Sequence, residues 1–214
     1  MKLYLEKYKR CFSNKRFVAS VFVAFLLLIA GLVINFYAGE YAAASANNSV
    51  TDIILDNIPV FDVDGTFVYG PFILWLFVAI LCLREPRRIP FVLKNIALFV
   101  FVRSIFITLT HIGPFPDHLV ISEASRLISH FTFGGDLFFS AHTGLPFLMA
   151  LVFHRDMRLR VLFTITAIFF GVIVLMAHLH YSIDVASAFF ITYTIYHIAK
   201  FLFREDEKIF NEGL

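Results

Sequence analysis

Charged side chains are scarce in this chain. Asp, Glu, Lys and Arg together make up 16% of its 214 residues, whereas soluble domains carry roughly 25%. Hydrophobic residues reach 59%, so the chain has too much apolar surface to bury in a single soluble core. The composition excludes an ordinary soluble domain and indicates an integral membrane protein. The bilayer is therefore its expected surrounding, and no nucleic acid is expected among its partners.

Cysteine is also nearly absent. The two that are present, Cys11 and Cys82, form neither a disulfide framework nor a spacing typical of a metal site. We expect both thiols to be buried or cytoplasmic. The sequence predicts no bound metal and no cofactor.

Long apolar segments are what the chain has in abundance, and phenylalanine alone supplies 28 residues. Most of these segments approach the roughly 20 residues that span a hydrocarbon core, and backbone groups in lipid must bond internally, so each is predicted to be a helix. The sequence thus predicts an all-α integral membrane protein, a six-transmembrane-helix bundle in which residues 1–214 form a single membrane domain. The six segments are Phe17–Tyr37, Val68–Leu83, Ile89–Thr110, Leu137–Phe153, Val161–Ala177 and Val185–Phe203.

The basic residues predict the orientation of this bundle. Sixteen of the 18 Lys and Arg residues lie in the N-terminal tail, around the loop after the second span, in the loop before the fifth, or at the C-terminal end. Basic loops mark the cytoplasmic side. Both termini are therefore expected in the cytoplasm. The connections Ala38–Phe67 and His111–Asp136 are expected on the periplasmic, lumenal or exterior side.

Four ionisable residues from separate spans should meet just below that outer interface. His142 lies near the start of the fourth span, Arg103 in the outer part of the third, and His180 and Asp184 where the sixth begins. Ionisable groups inside a membrane are costly and usually line a functional cavity. We expect such a cavity, polar and open to the outer leaflet, between the third, fourth and sixth spans, with Arg103 on its wall.

The spacing of these residues suggests a chemistry. If His180 begins the sixth helix, Asp184 lies one turn further on the same face and can accept a hydrogen bond from the imidazole. The other ring nitrogen then becomes a nucleophile or a base. His142 can protonate a leaving oxygen, and the guanidinium of Arg103 can hold a phosphate oxygen. His178 should point away from this group.

Two motifs carry a resemblance to a known family. The segments "GGDLFFSAHTG" and "HYSIDVASAFF" resemble the sphingomyelin synthase family, the C-type branch of the type 2 phosphatidic acid phosphatase superfamily. Members carry Cys-Gly-Asp…Ser-Gly-His-Thr and His-Tyr-Ser/Thr-x-Asp-Val motifs. "FVRSIFITLTHIGPFP" is similar to the family's third-span motif, which maps the motif arginine onto Arg103. The residues that match the first two motifs are Gly135, Asp136, Ser140, His142, Thr143, His180, Tyr181, Ser182, Asp184 and Val185.

The resemblance covers most of the chain from Arg87 to Phe190 and implies six spans with an outward-facing site. It implies that His180 attacks phosphorus, that Asp184 orients it and that His142 is the acid/base partner. Gly134 replaces the motif cysteine and Ala141 the motif glycine. Soluble-type members of the superfamily also carry a Lys-x6-Arg-Pro motif and a Ser-Arg pair ahead of the second histidine. In this chain Ile173 and Val174 stand seven and six residues before His180, where the Ser-Arg pair would be. That phosphate-binding clamp is therefore absent.

The resemblance implies a lipid phosphotransferase or phosphohydrolase whose substrate is a phospholipid and whose acceptor is water or a lipid alcohol such as ceramide or diacylglycerol. Arg103, Asp136 and Tyr181 are the candidate substrate-binding residues. Asp136 can equally cap the fourth helix, and the ring of Tyr181 can attract a quaternary ammonium.

Two other classes of protein use the same residues. In a metal-dependent membrane hydrolase, the two histidines and Asp184, with His178, would be metal ligands. In a proton-coupled transporter they would relay protons. The sequence favours the phosphotransferase or phosphohydrolase because the ionisable groups gather near one face of the membrane and none continues the path inward.

Overall fold

The computed structural model describes residues 2–119 and 137–213. These residues form eight α-helices, numbered here in chain order, and no β-strand. Two short 3-10 turns, Leu55–Asn57 and Pro86–Arg88, lie between helices. The helices are α1 (Lys2–Phe12), α2 (Lys15–Ser45), α3 (Asp64–Arg84), α4 (Ile89–Leu109), α5 (Ala141–Val152), α6 (Met157–Met176), α7 (Ser182–Leu202) and α8 (Arg204–Glu212).

Five of these helices are long and apolar enough to cross a membrane: α2, α3, α4, α6 and α7. They correspond to five of the six predicted spans. The fourth predicted span begins later than expected, because Leu137–Ser140 is not helical and α5 has only 12 residues. A helix of that length rises about 18 Å, less than the hydrocarbon core of about 30 Å. The structure thus supports a multi-pass helical membrane protein with five helices of spanning length among its described residues.

Helix α4 lies at the centre of the bundle. In the most apolar 18-residue stretch of this span, 50% of the residues are buried inside the protein, the largest share among the five spanning helices. Against it packs α2, whose buried face carries a seam of small residues, with Ala24, Gly31 and Ala38 at intervals of seven. A methyl group on Gly31 would lie 3.4 Å from the carbonyl oxygen of Ala97. Small residues in such a seam allow two membrane helices to approach closely.

One end of the bundle gathers α1, α8 and most of the described basic residues. The guanidinium of Arg88 lies over the rings of Phe153 and Phe210, at 5.4 and 5.9 Å from their centroids. The Lys94 ammonium, buried in the first half of α4, forms an ion pair with Asp206 of α8 at 2.6 Å. Helix α1 is joined to the turn after α3 by a Lys7–Glu85 ion pair. We call this the basic end.

The opposite end is closed by loops that bind one another through their backbones. Asn47 donates its N–H to the carbonyl of His111, Phe61 to that of Met176, and Leu119 to that of Ala177. These bonds hold the loops that follow α2 and α4 against the turn between α6 and α7. We call this the loop end, and every candidate site residue that the structure describes lies towards it.

The proposed orientation, with the loop end outside, has a direct test. In a variant lacking the two native cysteines, single cysteines at Ser49 and Asp117, both exposed at the loop end, should react with an impermeant thiol reagent on intact cells. A cysteine at Arg158, exposed at the basic end, should react only after permeabilisation. The reverse pattern would place the loop end in the cytoplasm.

Candidate active site

The non-helical segment Leu137–Ser140 assembles the candidate site. The carbonyl of Leu137 accepts a hydrogen bond from the His180 ring at 2.8 Å. The carbonyl of Phe139 accepts one from Nε of Arg103 at 3.1 Å. The N–H of Ser140 donates to the carbonyl of Asp184 at 3.2 Å. One four-residue segment therefore joins α4, the start of α5 and the start of α7, which explains why it is not part of a helix.

His180 has a defined tautomer. Its Nδ1 lies 2.8 Å from the carbonyl oxygen of Leu137, which can only accept, so Nδ1 carries a hydrogen. In the neutral ring, Nε2 then holds the lone pair. The condition that His180 begins the last helix is not met: α7 starts at Ser182 and Tyr181 is its N-cap. The prediction that Asp184 lies within reach of His180 is correct, but at 3.4 Å it is the more distant of the two acceptors.

Asp184 is a fully buried carboxylate at the N-terminus of α7. Its Oδ2 accepts the N–H of Tyr181 at 2.9 Å, which completes a capping box. Its Oδ1 has no hydrogen-bond partner among the described residues. A carboxylate at this position is stabilised by the helix dipole and lies beside the imidazole. It can therefore stabilise positive charge that develops on His180.

His142 lies in the first turn of α5, within electrostatic range of both His180 and Arg103. Its ring stacks on Phe67 of α3 with centroids 4.2 Å apart. Ser140 is the N-cap residue but makes no capping hydrogen bond. Its hydroxyl and that of Thr143 are buried without a partner among the described residues. The start of α5 therefore presents polar groups suited to an anion.

An apolar cavity of about 280 Å³ opens beside His142. It lies between α3, α5 and α6, that is, the second, fourth and fifth predicted spans. This cavity is not the polar one expected between the third, fourth and sixth spans, and Arg103 is not on its wall. Among the described residues, His142 is the one ionisable side chain of its lining. The lining residues are Phe67, Val68, Pro71, Phe72, Leu74, Trp75, Ala141, His142, Leu145, Pro146 and Phe170.

Arg103 is buried in the half of α4 nearer the loop end, where it is 5% exposed. Besides the bond from its Nε to Phe139, its Nη1 donates to Oδ1 of Asn35 on α2 at 3.4 Å. The sequence analysis did not single out Asn35. The available signal was a polar side chain inside an apolar run, between Ile34 and Phe36.

Replacing Arg103 with lysine tests whether the fork of the guanidinium matters. Lysine keeps the charge but loses the planar donors and the bond to Phe139. We therefore expect kcat/KM for the expected phospholipid reaction to fall about 100-fold. Ser104→Ala is the matched control, since Ser104 is the neighbouring residue and also contacts Asn35, at 3.5 Å, without contacting Phe139. Equal turnover in Arg103→Lys and wild type would leave Arg103 a structural role only.

The remaining candidates are placed differently. Tyr181 is 2% exposed and its hydroxyl donates to the carbonyl of Gly113 at 2.9 Å; it does not line the cavity beside His142, and it holds loops together. His178 is buried, and its ring contacts the carbonyl of Asp117 at 2.8 Å. Asp136 lies outside the described residues.

Asp52 is a positioning residue that the sequence analysis missed. Its Oδ2 accepts the N–H of Ser182 at 2.7 Å, at the first residue of α7, and its Oδ1 accepts the N–H groups of Ile54 and Leu55. Burial alone would raise its pKa. The backbone hydrogen bonds outweigh burial and hold the pKa of Asp52 below its ordinary value. No sequence signal distinguishes Asp52 from the other acids of this loop.

The lowered pKa of Asp52 predicts a pH-dependent stability. The ionised carboxylate stabilises the fold above the unfolded-state pKa of about 3.9, and this contribution is lost as the pH falls through the lower folded-state value. Asp52→Asn should therefore lower the melting temperature at neutral pH, on the order of 2–4 °C for each kcal/mol lost. The difference from wild type should shrink below about pH 4. Asp62→Asn, at an exposed acid of the same loop, should leave the melting temperature unchanged; a pH-independent effect of Asp52→Asn would contradict this account.

The described residues contain no group of three or more His, Cys, Asp or Glu side chains that could hold a metal ion. His178 and His180 each use Nδ1 for a backbone carbonyl, those of Asp117 and Leu137. This arrangement leaves Nε2 available and is compatible with a nucleophile or with a metal ligand, so the two classes are separated by the chelator experiment below.

The comparison with protein families adds an independent finding. Residues 134–201 match the family model described as PAP2 superfamily C-terminal. The match contains Leu137–Ser140, His142, His180 and Asp184, and it covers 68 of the 214 residues. This part of the chain is therefore similar to the PAP2 superfamily. Searches among curated proteins and solved structures found no significant match.

Proposed function

We propose that this protein is a lipid phosphohydrolase or phosphotransferase of the sphingomyelin synthase-like type, with His180 as its nucleophile. The observation that carries the proposal is the arrangement around Leu137–Ser140. It fixes the tautomer of His180 beside the buried Asp184 and leads directly into the helix that carries His142. The family match covers the same residues.

In the first step, Nε2 of His180 attacks the phosphorus of a phospholipid head-group. A bond forms between nitrogen and phosphorus, and the bond from phosphorus to the diacylglycerol oxygen breaks. His142 donates a proton to that departing oxygen. The proton on Nδ1 of His180 remains in place, so the phosphorylated ring is cationic and the carboxylate of Asp184 stabilises it.

In the second step, water or a lipid alcohol attacks the phosphorus and the bond to His180 breaks. His142, now neutral, accepts the proton of the attacking hydroxyl. Negative charge on the phosphoryl oxygens is offset by Arg103 and by the N–H groups at the start of α5. Ceramide or diacylglycerol as the acceptor gives a transferase; water gives a phosphatase or a phospholipase C-type enzyme.

The apolar cavity beside His142 accounts for how a lipid reaches these residues. An acyl chain of the leaving group lies between α3, α5 and α6, against Phe72 and Trp75. Its polar end then meets the ring of His142. Because the site lies at the loop end, opposite the basic end, it faces the periplasm, lumen or cell exterior.

The test uses the purified protein with a panel of phospholipids carrying labelled head-groups, with and without ceramide or diacylglycerol. Mass spectrometry identifies the products. Diacylglycerol release shows head-group cleavage, and a head-group on the added alcohol shows transfer. If no lipid of the panel is consumed under conditions where the protein is folded, the proposal is wrong.

A parallel series with EDTA distinguishes the metal alternative. The histidine mechanism needs no metal, so turnover should survive the chelator. If EDTA abolishes turnover and added zinc restores it, His142, His180 and Asp184 are metal ligands and the protein is a metal-dependent hydrolase. The transporter alternative receives no support from the cavity beside His142, since apolar side chains form nearly all of its lining.

A further inference from the structure

A second cavity, of about 350 Å³, lies at the basic end, far from the candidate active site. Residues of α1, the end of α3, the turn before α4 and the start of α6 surround it. Its lining combines four cationic side chains, two carboxylates and three residues with apolar surface. They are Tyr4, Lys7, Leu81, Arg84, Glu85, Arg88, Asp156, Arg158 and Leu159.

Both carboxylates of this cavity are already engaged. Glu85 forms ion pairs with Lys7 and, at 3.6 Å, with Arg87. Asp156 caps α6 by accepting the backbone N–H groups of Arg158 and Leu159 at 3.0 and 3.2 Å. Both carboxylates also act electrostatically on Arg88. With four cationic and two anionic side chains in the lining, the cavity nevertheless keeps an excess of two positive charges.

Three guanidinium groups remain. Among the described residues, no carboxylate lies within ion-pair distance of Arg84, Arg88 or Arg158. Arg88 is half-buried and held by two aromatic rings instead. A partly desolvated guanidinium without an acidic partner favours a bound anion, and its planar fork fits a phosphate.

The surroundings indicate where that anion comes from. Helix α1 exposes Tyr4, Leu5 and Phe12 at 48%, 64% and 44%, next to exposed Lys9 and Arg10. A short helix that exposes both apolar and basic residues beside membrane spans lies in the head-group region. Leu81 and Leu159 add an apolar wall to the cavity itself. A ligand with a phosphate and an acyl chain fits such a lining better than a soluble anion does.

We propose that this cavity binds the phosphate of an anionic phospholipid in the leaflet at the basic end. The lipid holds α1 against the ends of α3 and α6 and is distinct from the substrate. Basic pockets between membrane helices on the cytoplasmic side commonly bind such head-groups. This inference does not rest on the proposed catalytic function.

The test measures lipid binding to the 214-residue chain in detergent by native mass spectrometry. The probes are phosphatidylglycerol and phosphatidylcholine with identical acyl chains, and His180→Ala is used throughout so that no probe is consumed. We expect preferential binding of phosphatidylglycerol. Arg84→Gln/Arg158→Gln should weaken it about fivefold for each guanidinium removed. Lys9→Gln/Arg10→Gln removes two exposed charges outside the cavity and should leave the preference intact.

Three results would overturn the proposal. They are equal binding of the two lipids, equal loss of preference in both double variants, and full displacement of phosphatidylglycerol by excess inorganic phosphate. The last would identify a soluble-anion site. If the double variant unfolds, Arg158→Gln alone, at an exposed side chain, gives the same comparison with a fivefold expected loss. Head-group cleavage by the Arg158→Gln variant in the otherwise native chain reports separately on the active site.

Discussion

Replacing His180 with alanine should reduce lipid turnover by about three orders of magnitude or more, because it removes the proposed nucleophile. His142→Ala and Asp184→Asn should also remove nearly all turnover. The three losses should not add in combined variants, since the groups act as one unit. Product formation from a labelled phospholipid measures each loss, and the melting temperature shows whether the bundle remains folded.

The covalent intermediate separates the roles of the two histidines. With His142→Ala, slow expulsion of the leaving group can still place a labelled phosphoryl group on His180, where it is detected as an acid-labile adduct. His180→Ala cannot form that adduct. The matched control is His197→Ala. His197 is exposed on α7, and its ring contacts Tyr193 and Tyr196 of the same helix. Turnover like that of wild type in His180→Ala would end the nucleophile assignment.

The spans could be predicted from the sequence because their cause is local. An apolar run of about 20 residues in lipid must satisfy its backbone internally, whatever surrounds it. Helices α2 and α3 therefore extend over and beyond the predicted Phe17–Tyr37 and Val68–Leu83. The start of α5 has a different cause. The carbonyls of Leu137 and Phe139 accept hydrogen bonds from His180 and Arg103. Bonds between segments far apart in the chain produce no repeating residue pattern from which the sequence could predict them.

Some contacts between the candidate site residues could be predicted from the sequence, but their main hydrogen-bond partners could not. A histidine four residues before an aspartate indicated the pairing of His180 with Asp184. The main acceptor for His180 is nevertheless a backbone carbonyl, which any residue type can supply. The same reason hid Asp52, whose partners are backbone N–H groups. The apolar cavity beside His142 was not predicted, because it depends on how α3 and α6 pack beside that residue.

Lys94 shows that a residue can mark orientation and also hold the fold together. The sequence analysis counted it among the basic residues of the cytoplasmic side. In the structure its ammonium is 2.6 Å from Asp206 and 2.8 Å from the hydroxyl of Ser20, and Ser20 in turn donates to Asp206. This network joins α2, α4 and α8. The side chains of Lys94 and Asp206 are only 10% and 8% exposed, so the pair lies in a poorly solvated environment.

Asp206→Ala should therefore destabilise the protein by about 3–5 kcal/mol, because it leaves a buried ammonium without its counter-charge. Replacing both partners, as Lys94→Met/Asp206→Leu, should restore most of that loss, since no uncompensated charge remains. Glu207→Ala is the matched control one residue along α8: its pair with Lys200, at 3.2 Å, is more exposed and should be worth at most about 1 kcal/mol. Thermal unfolding in detergent measures all three variants. If Asp206→Ala and Glu207→Ala lower the stability equally, Lys94 is solvated and the network does not hold α8 to the bundle.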